Sequence, residues 1–513
     1  TTEAHSRGAR RRIGATMGTK ADLIGLLRLY WSLFLGNIVE WYEYAVYGYL
    51  ADYIEHHFFQ GSQVATWLGF AVTFLARPLG GIVLGSIGDT YGRGFSVNLS
   101  IVGMLLGTCG QGMLPTYSSG SNVLGTIGLV VLVILRFVQG LSAAGEISTI
   151  STYMVEVGEQ KSLGRSISLI SVTANLGNLL AKGVVWLVTL VCGVENVKSW
   201  AWRLPFILAL IPGLIAVWGR QYVPESEEFV QEQHKQNTRE STADLVDSVG
   251  DENTDNPDLE DDNGPVVSRE STVSRVQSVF SSHWANMLIS VGSVAACATL
   301  MYGGFVWTQS FLAHHGMTRD NRMLVDLCAR LLMIVLAVPV GWLADVKGVG
   351  FVTFIGAGGL AVSAVPLWWL LQSNPTSLET VLLTLGIGFA LNGAMTGTVL
   401  FYFAVELFPT VVRNTAVGIS FNVGVAFFGG LAPVLNTVSA RWTPLGPGIL
   451  LALGGLVTLV TVLTGLCLQR RQKLRLAHVR SEPYFSKAYD NGTNGPCDLS
   501  ESDSDTSVEN ASE

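Results

Sequence analysis

Two carboxylates interrupt an apolar stretch near the start of the chain. Residues 35–54, LGNIVEWYEYAVYGYLADYI, hold the glutamates Glu40 and Glu43 among valines, tyrosines and a tryptophan. At 100° per residue, the polar side chains of this stretch form one stripe on a helix, which contains Asn37, Glu40, Glu43, Tyr44 and Tyr47. A carboxylate near a bilayer centre costs on the order of 3 kcal/mol, and it marks an ion or substrate route more often than a structural pair. We therefore predict proton coupling by Glu40 or Glu43 and ligand contacts by Asn37, Tyr44 and Tyr47.

An arginine further along the chain supplies the opposite charge. Arg136 begins the stretch RFVQGLSAAGE and lies close to the middle of its own apolar run, with Gln139, Ala143 and Glu146 on the same helix face. A buried guanidinium forms two parallel hydrogen bonds to a carboxylate. We predict that Arg136 and Gln139 bind a carboxylate, which belongs either to the protein or to a ligand. Glu146 is a third candidate for proton coupling.

Helices that cross a membrane must position these residues. The chain has 513 residues, of which 49% are hydrophobic and 14% charged, whereas about a quarter are charged in soluble domains. Apolar runs of roughly 20 residues recur about twelve times, and each is long enough for a hydrocarbon core of about 30 Å. We predict an all-α membrane protein with twelve transmembrane helices. Since the sequence shows neither a nucleophile with its base nor metal-ligand spacing, we expect no enzyme, no metal and no cofactor other than the proton.

The net charge of −8 is unevenly distributed. Residues 225–263 carry fourteen acids and two bases, and residues 481–513 carry eight acids and one lysine, which leaves +11 for the rest of the chain. By the positive-inside rule, the basic clusters place both termini and the acidic middle in the cytoplasm. The acidic middle has too little apolar content to fold. The predicted segments are a basic N-terminal arm (1–28), a six-helix bundle (29–222), a disordered linker (223–283), a second six-helix bundle (284–468) and a tail (469–513).

The two halves of the chain repeat one motif. GSIGDTYGRG begins at Gly85 and GWLADVKGVG begins at Gly341, and they share three glycines and an aspartate at a constant offset of 256 residues. Several matches at one offset predict two pseudo-symmetric six-helix bundles. In such an architecture, alternating access comes from rocking one bundle against the other.

Together these motifs resemble the major facilitator superfamily. GSIGDTYGRG resembles the loop between its second and third helices, and RFVQGLSAAGE resembles its fourth-helix arginine motif. GNIVEWYEYAVYGYLADYIEHHFF, LARPLGG, AWRLPF and VELFPTVVR are similar to the metabolite:proton symporter family, which includes bacterial carriers for α-ketoglutarate, citrate, shikimate, and proline with betaine. The resemblance covers roughly Leu29 to Cys467. It departs at Thr90 and Gly94, where basic residues are usual.

This resemblance implies proton-coupled symport of a small organic anion or zwitterion that carries a carboxylate. It places helices one, four, seven and ten around a central cavity, which would bring Arg136 toward Glu40 and Glu43. We expect the glutamates to hold Arg136 until a substrate carboxylate claims it, whereupon one of them takes a proton. Glu43 is favoured because it lies nearer the depth of Arg136.

The resemblance also implies a latch on the cytoplasmic side that stabilises the state closed to the cytoplasm. Asp89 and Arg93 would form it with charges from the other bundle. The expected gating set is Asp89, Arg93, Glu156, Arg165, Asp345, Glu406 and Arg413.

Other polar residues in the apolar runs are weaker candidates for the cavity, because packing between helices explains them equally well: Asn175, Asn178, Lys182, Tyr302, Trp307, Gln309, Asn392, Thr396 and Tyr402. Asp326 and Arg330, four residues apart, are expected to neutralise each other locally.

Two alternatives stay open. In an uncoupled facilitator of the same solutes the glutamates would be structural, and in a nutrient receptor the cavity would bind without transport. In each case the expected partners are a small solute and the lipid bilayer, and not nucleic acid. We expect a monomeric, multi-pass protein of the plasma membrane.

Overall fold

The computed structural model describes residues 23–91, 93–117, 121–157, 162–220, 277, 279–408 and 413–470, and these are almost entirely helical. The first half contains α1 (Trp31–Tyr49, flanked by Leu23–Leu29 and Ala51–Phe58), α2 (Gln63–Tyr91), α3 (Arg93–Gly112), α4 (Asn122–Val157), α5 (Leu163–Cys192) and α6 (Ala201–Arg220), with a short helix Val194–Ser199 before α6. The second half contains α7 (Trp284–His314), α8 (Arg319–Lys347), α9 (Val349–Ser373), α10 (Leu378–Val405), α11 (Arg413–Trp442) and α12 (Gly446–Arg470).

Ten of these helices are long and apolar enough to cross a membrane, within the described residues. The other two are α1, which is interrupted at Tyr30 and Leu50, and the 20-residue α3. Large apolar side chains point outward from the bundles. Examples are Leu106, Val191 and Val362, whose exposed fractions are 65%, 75% and 79%. A soluble monomer rarely exposes so many apolar side chains, whereas a bilayer solvates them. The predicted all-α membrane architecture of two six-helix bundles is confirmed.

The predicted segment boundaries are only partly within the described residues. The described part of the first bundle ends at Arg220, and α7 opens the second bundle at Trp284. Most of the predicted linker and the tail beyond residue 470 lie outside the described residues. The segment boundaries therefore stay a prediction.

The two bundles meet along two pairs of helices, α2 with α11 and α5 with α8. Glycines allow close approach at both seams. A methyl group at Gly81 would lie 2.5 Å from the carbonyl oxygen of Gly418, and one at Gly164 would overlap the carbonyl oxygen of Gly341. Small residues at such positions let helix backbones pack closely in a membrane. These seams bring side chains of the two bundles within hydrogen-bonding distance.

Three helices of the second bundle contain π-helical segments. These are Thr299–Trp307 in α7, Leu382–Phe389 in α10 and Val425–Gly430 in α11. The described residues of α1 to α6 contain no such segment. Prolines lie inside α2 (Pro78), α8 (Pro339) and α9 (Pro366), where the missing N–H breaks the regular hydrogen-bond ladder. π segments interrupt helices most often at functional positions.

Candidate functional site

Glu40 forms an ion pair with an arginine of the neighbouring helix. Arg77 Nη2 lies 3.2 Å from Glu40 Oε1, and neither side chain is more than 3% exposed. The guanidinium also lies 5.1 Å from the ring centre of Phe74, which adds a cation–π contact. A buried carboxylate is tolerated when an opposite charge lies this close. Arg77 belongs to the LARPLGG motif, and sequence analysis assigned it no chemical role.

Glu43 and Arg136 are connected through Gln139 rather than directly. Arg136 Nη1 donates to Gln139 Oε1 at 2.9 Å, and Gln139 Nε2 donates to Glu43 Oε2 at 3.3 Å and to Thr108 Oγ1 at 2.7 Å. Arg136 is fully buried, stacks on the ring of Tyr47 at 4.0 Å and donates to two carbonyl oxygens of α2. The expected direct pairing of Arg136 with Glu40 or Glu43 is therefore wrong in this conformation, because the Gln139 amide stands between Arg136 and Glu43, and Glu40 pairs with Arg77 instead.

The other predicted residues of the polar stripe bind neighbouring helices. Asn37 Nδ2 donates to the carbonyl of Ile170 at 3.0 Å and to Thr173 Oγ1 at 2.7 Å, so it joins α1 to α5. Tyr47 donates to the carbonyl of Thr66 at 3.0 Å. Tyr44 donates to Asn178 at 3.0 Å, and its ring packs against Tyr302 of the second bundle at 5.3 Å. Of these three residues, Tyr44 alone touches both bundles in these contacts.

A cavity of about 40 Å³ lies between the bundles, and we call it the central cavity. Its charged lining residues are Arg77 and Arg330, and its polar ones include Asn175 and Asn178. Aromatic rings of both bundles complete the wall: Trp41, Tyr302, Phe401 and Phe421. This volume is far below the roughly 300 Å³ of small-molecule sites, so an organic solute needs the walls to move apart.

Arg330 is the charged residue of the second bundle at this cavity. Its Nη1 donates to Asn175 at 3.3 Å and approaches Met301 Sδ at 3.7 Å, and its Nε lies 3.6 Å from Asp326 Oδ1. Nη2 has no hydrogen-bond partner among the described residues, although the residue is only 1% exposed. The expected local neutralisation by Asp326 is therefore one part of a larger cluster. A buried donor without a partner faces the central cavity.

On the face predicted to be cytoplasmic, which we call the inner face, Asp345 links the bundles. Its Oδ1 accepts from the backbone nitrogen of Gly164 at 2.7 Å, and its Oδ2 lies 3.3 Å from Arg165 Nε. Asp345 of α8 therefore caps the first turn of α5, where free N–H groups favour a negative charge. Among the predicted gating residues, Arg165 and Asp345 are brought together across the seam.

The remaining predicted gating residues are less fully described. Arg413 Nε donates to the carbonyl of Phe408 at 3.2 Å, within its own bundle. The side chains of Asp89, Arg93, Glu156 and Glu406 lie outside the described part of the structure. Their roles stay predictions.

Glu146 pairs with Arg220 of α6. Arg220 Nη1 donates to Glu146 Oε2 at 2.9 Å and to the carbonyl of Val97 at 2.9 Å, and Nη2 contacts Glu146 Oε1. Gly36 makes room for the guanidinium, because a methyl group at that position would overlap it. This bidentate pair lies inside the first bundle. It gives Glu146 a structural partner that sequence analysis did not anticipate.

The opposite end of the seam, which we call the outer face, is closed by a second charge cluster. Lys182 Nζ of α5 lies 3.3 Å from Asp326 Oδ2 of α8, and Tyr49 of α1 donates to the same oxygen at 3.0 Å. Ser310 donates to Asp52 at 2.8 Å between α7 and the first bundle. These contacts close the central cavity from the outer face, as the Asp345 contacts do from the inner face.

Two six-helix bundles with a cavity between them that two arginines line, and with contacts that join the bundles at both faces, define the class of alternating-access membrane transporters. The family described as "Sugar (and other) transporter" matches residues 30–467. The chain belongs to this family, and it is a membrane transporter rather than an enzyme.

Individual relatives agree with this classification. The chain is 30% identical over 412 residues to the proline/betaine transporter of Salmonella typhimurium, which covers 78% of this chain and 75% of the relative. It is 29% identical over 409 residues to the glycine betaine/proline/ectoine/pipecolic acid transporter OusA of Dickeya dadantii, with coverages of 78% and 75%. The structure of the proton:xylose symporter XylE has a TM-score of 0.66 at 14% identity, over 86% of this chain and 95% of that one, and it shows the shared fold.

Proposed function

We propose that the protein is a proton-coupled symporter of a small solute bearing a carboxylate, with a zwitterion such as proline or a betaine as the first candidate. The observation that carries this proposal is the Arg77–Glu40 ion pair. One partner lines the central cavity while the other is a buried acid able to bind a proton. The named solutes of the proline/betaine relatives support the choice of a zwitterion.

The coupling follows from competition for Arg77. A solute carboxylate in the central cavity attracts the guanidinium, and Glu40 then loses its opposite charge in a site that excludes water. A carboxylate in such a setting favours the protonated form, so solute binding and proton binding reinforce each other. With the solute carboxylate paired to Arg77 and Glu40 protonated, the loaded carrier changes conformation at a lower electrostatic cost than it would with an unpaired carboxylate.

The lining of the central cavity suits both ends of a zwitterion. Arg330 Nη2 is a buried donor without a partner among the described residues, and it offers a second hydrogen bond to the carboxylate. Trp41 and Tyr302 line the same cavity, and an aromatic ring can bind a cationic nitrogen there by a contact worth about 2 kcal/mol when desolvated. A sugar would offer hydroxyl acceptors to these arginines but no negative charge.

Uptake into proteoliposomes tests the proposal. Purified protein should concentrate labelled proline or glycine betaine when the outside is made acidic, and the accumulation should collapse when a protonophore removes the gradient. Equal final concentrations inside and outside under an imposed gradient would identify an uncoupled facilitator. Saturable binding without any flux would identify a receptor.

We further propose that the carrier acts as a monomer in the plasma membrane with both termini cytoplasmic, and that it needs no cofactor besides the proton. Each chain encloses its own central cavity, which supports a monomeric unit. The basic clusters at one face support the orientation.

A further inference from the structure

A second cavity, of about 510 Å³, opens at the outer face beyond the Lys182–Asp326 gate, and we call it the outer vestibule. Its volume falls within the range of small-molecule sites, about 300 to 1,000 Å³. Both bundles contribute to it, since Lys182 comes from α5 and Gln309 and Arg322 come from α7 and α8. It is separate from the central cavity, with which it shares none of these residues.

Positive charge dominates the lining of the outer vestibule. Four of its residues are cationic: Lys182, Lys198, Arg319 and Arg322. Asp52 is the carboxylate among the described lining residues, and it already accepts a hydrogen bond from Ser310 at 2.8 Å. Glu195, outside the lining, lies 3.0 Å from Lys198. A concave surface of one charge concentrates counter-ions of the opposite sign.

Two donors in this lining have no partner among the described residues. Gln309 is only 5% exposed; its Oε1 accepts from Lys182 at 3.1 Å, but its Nε2 donates to nothing described. Arg322 Nη1 donates to the carbonyl of Gln309 at 3.0 Å, while its Nε is likewise unpaired. A buried donor without an acceptor destabilises the protein, and an arriving acceptor recovers that cost.

We propose that the outer vestibule is a docking site for a carboxylate, held by Gln309 Nε2, Arg322 and Lys182 before the outer gate opens. The inference rests on the proposed function only in taking this carboxylate to be that of the transported solute. A carboxylate bound beside Lys182 competes with Asp326 for the same ammonium group. Docking would then weaken the contact that joins α5 to α8 at the outer face.

Cysteine labelling tests the site without requiring transport. Met323 lines the outer vestibule, and a Met323→Cys variant of the full chain can be labelled with methanethiosulfonate reagents of similar size and opposite charge. The parent chain corrects for labelling of its native cysteines. We expect the sulfonate reagent to react at least tenfold faster than the trimethylammonium reagent, and succinate to slow the reaction whereas its neutral analogue succinamide does not.

Two further variants identify the residues. Adding Arg322→Gln should remove most of the charge preference and the protection by succinate. Adding Arg441→Gln, the same charge change at an exposed residue near the outer end of α11 and outside the vestibule lining, should leave both unchanged. Equal rates for the two reagents, equal protection by succinamide, or equal effects of the two arginine variants would overturn the proposal. Since labelling needs no solute movement, failure of the proposed symport would appear separately as absent uptake.

Discussion

Arg77 Nη2 lies 3.2 Å from Glu40 Oε1, at a point where the arginine borders the central cavity and the acid does not line it. A solute carboxylate in this cavity and Glu40 would therefore compete for one guanidinium. Glu43 is held instead by Gln139 at 3.3 Å, and Arg136 behind that amide contacts Gln139, the ring of Tyr47 and two carbonyl groups of α2. This arrangement moves the preferred coupling acid from Glu43 to Glu40.

The first prediction concerns that acid. Glu40→Gln mimics the protonated state permanently, so the variant should exchange labelled solute across the membrane but should not concentrate it under a pH gradient. Counterflow exchange measured beside gradient-driven uptake separates these two properties. Glu43→Gln is the matched control, and it should retain accumulation. If the Glu43 variant loses accumulation while the Glu40 variant keeps it, the coupling acid is Glu43.

The second prediction separates binding from stability among the buried arginines. Arg330→Gln should weaken solute binding by about 2 to 5 kcal/mol, since it removes a charged partner in a desolvated site. Arg136→Gln should instead lower the melting temperature of the purified protein. The change removes the contacts of the guanidinium with Gln139, with the ring of Tyr47 and with two carbonyl groups of α2. Equilibrium binding and thermal unfolding are measured on both variants. Weakened binding by Arg136→Gln, with unchanged stability, would restore Arg136 as a substrate residue.

The third prediction tests close approach of the bundles at the inner face. Gly164→Ala places a methyl group against the carbonyl of Gly341, and such overpacking costs about 1 to 3 kcal/mol in the closed inner gate. Transport should fall while the protein still folds, because the cost applies to one conformation of the carrier. Gly183→Ala on the same helix is the control, since a methyl group there meets no described atom within 4 Å. Similar transport by the two variants would argue against a tight inner seam.

The fourth prediction concerns the buried pair of Glu146 and Arg220. Removing one partner leaves an uncompensated buried charge, and such changes cost about 3 to 5 kcal/mol. Arg220→Met alone should therefore destabilise the protein more than the double variant Glu146→Leu with Arg220→Met. Thermal unfolding in detergent ranks the two. Accumulation of solute by a folded double variant would show that Glu146 does not couple protons, whereas an equally folded variant that exchanges without accumulating would assign it that role.

The sequence predicted the helices well because a bilayer constrains them strongly. Backbone groups in lipid must be satisfied within each helix, so apolar runs of sufficient length fix the number and type of elements. The repeated loop motif predicted two bundles, because several matches at one constant offset indicate two related halves. Asp345 was also predicted at the inner seam, since its place in the second copy of the motif sets it at a helix end.

The partners of the buried charges could not be predicted in the same way. Helix periodicity gives the face and depth of Glu40, but which arginine it meets depends on the rotation of α2 against α1. Arg77 and Arg136 lie on different helices at comparable depths, and sequence spacing does not rank them. The partnership of Arg220 could not be predicted because a basic residue at the end of an apolar run usually lies at the membrane surface, whereas this side chain passes inward over Gly36.

The three π-helical segments make the two related bundles mechanically unlike. Each π turn replaces the regular i→i+4 ladder with wider, less uniform hydrogen bonding, and such interruptions are where helices bend. The segments in α7 and α11 contribute Tyr302 and Val425 to the central cavity, and the segment in α10 lies near the start of its helix, so the second bundle has flexible positions that the described helices of the first bundle lack. Amide hydrogen exchange should then be faster at residues 299–307, 382–389 and 425–430 than in the regular α-helical turns beside them. During transport, the helices of the second bundle would bend while those of the first bundle move as a more rigid unit.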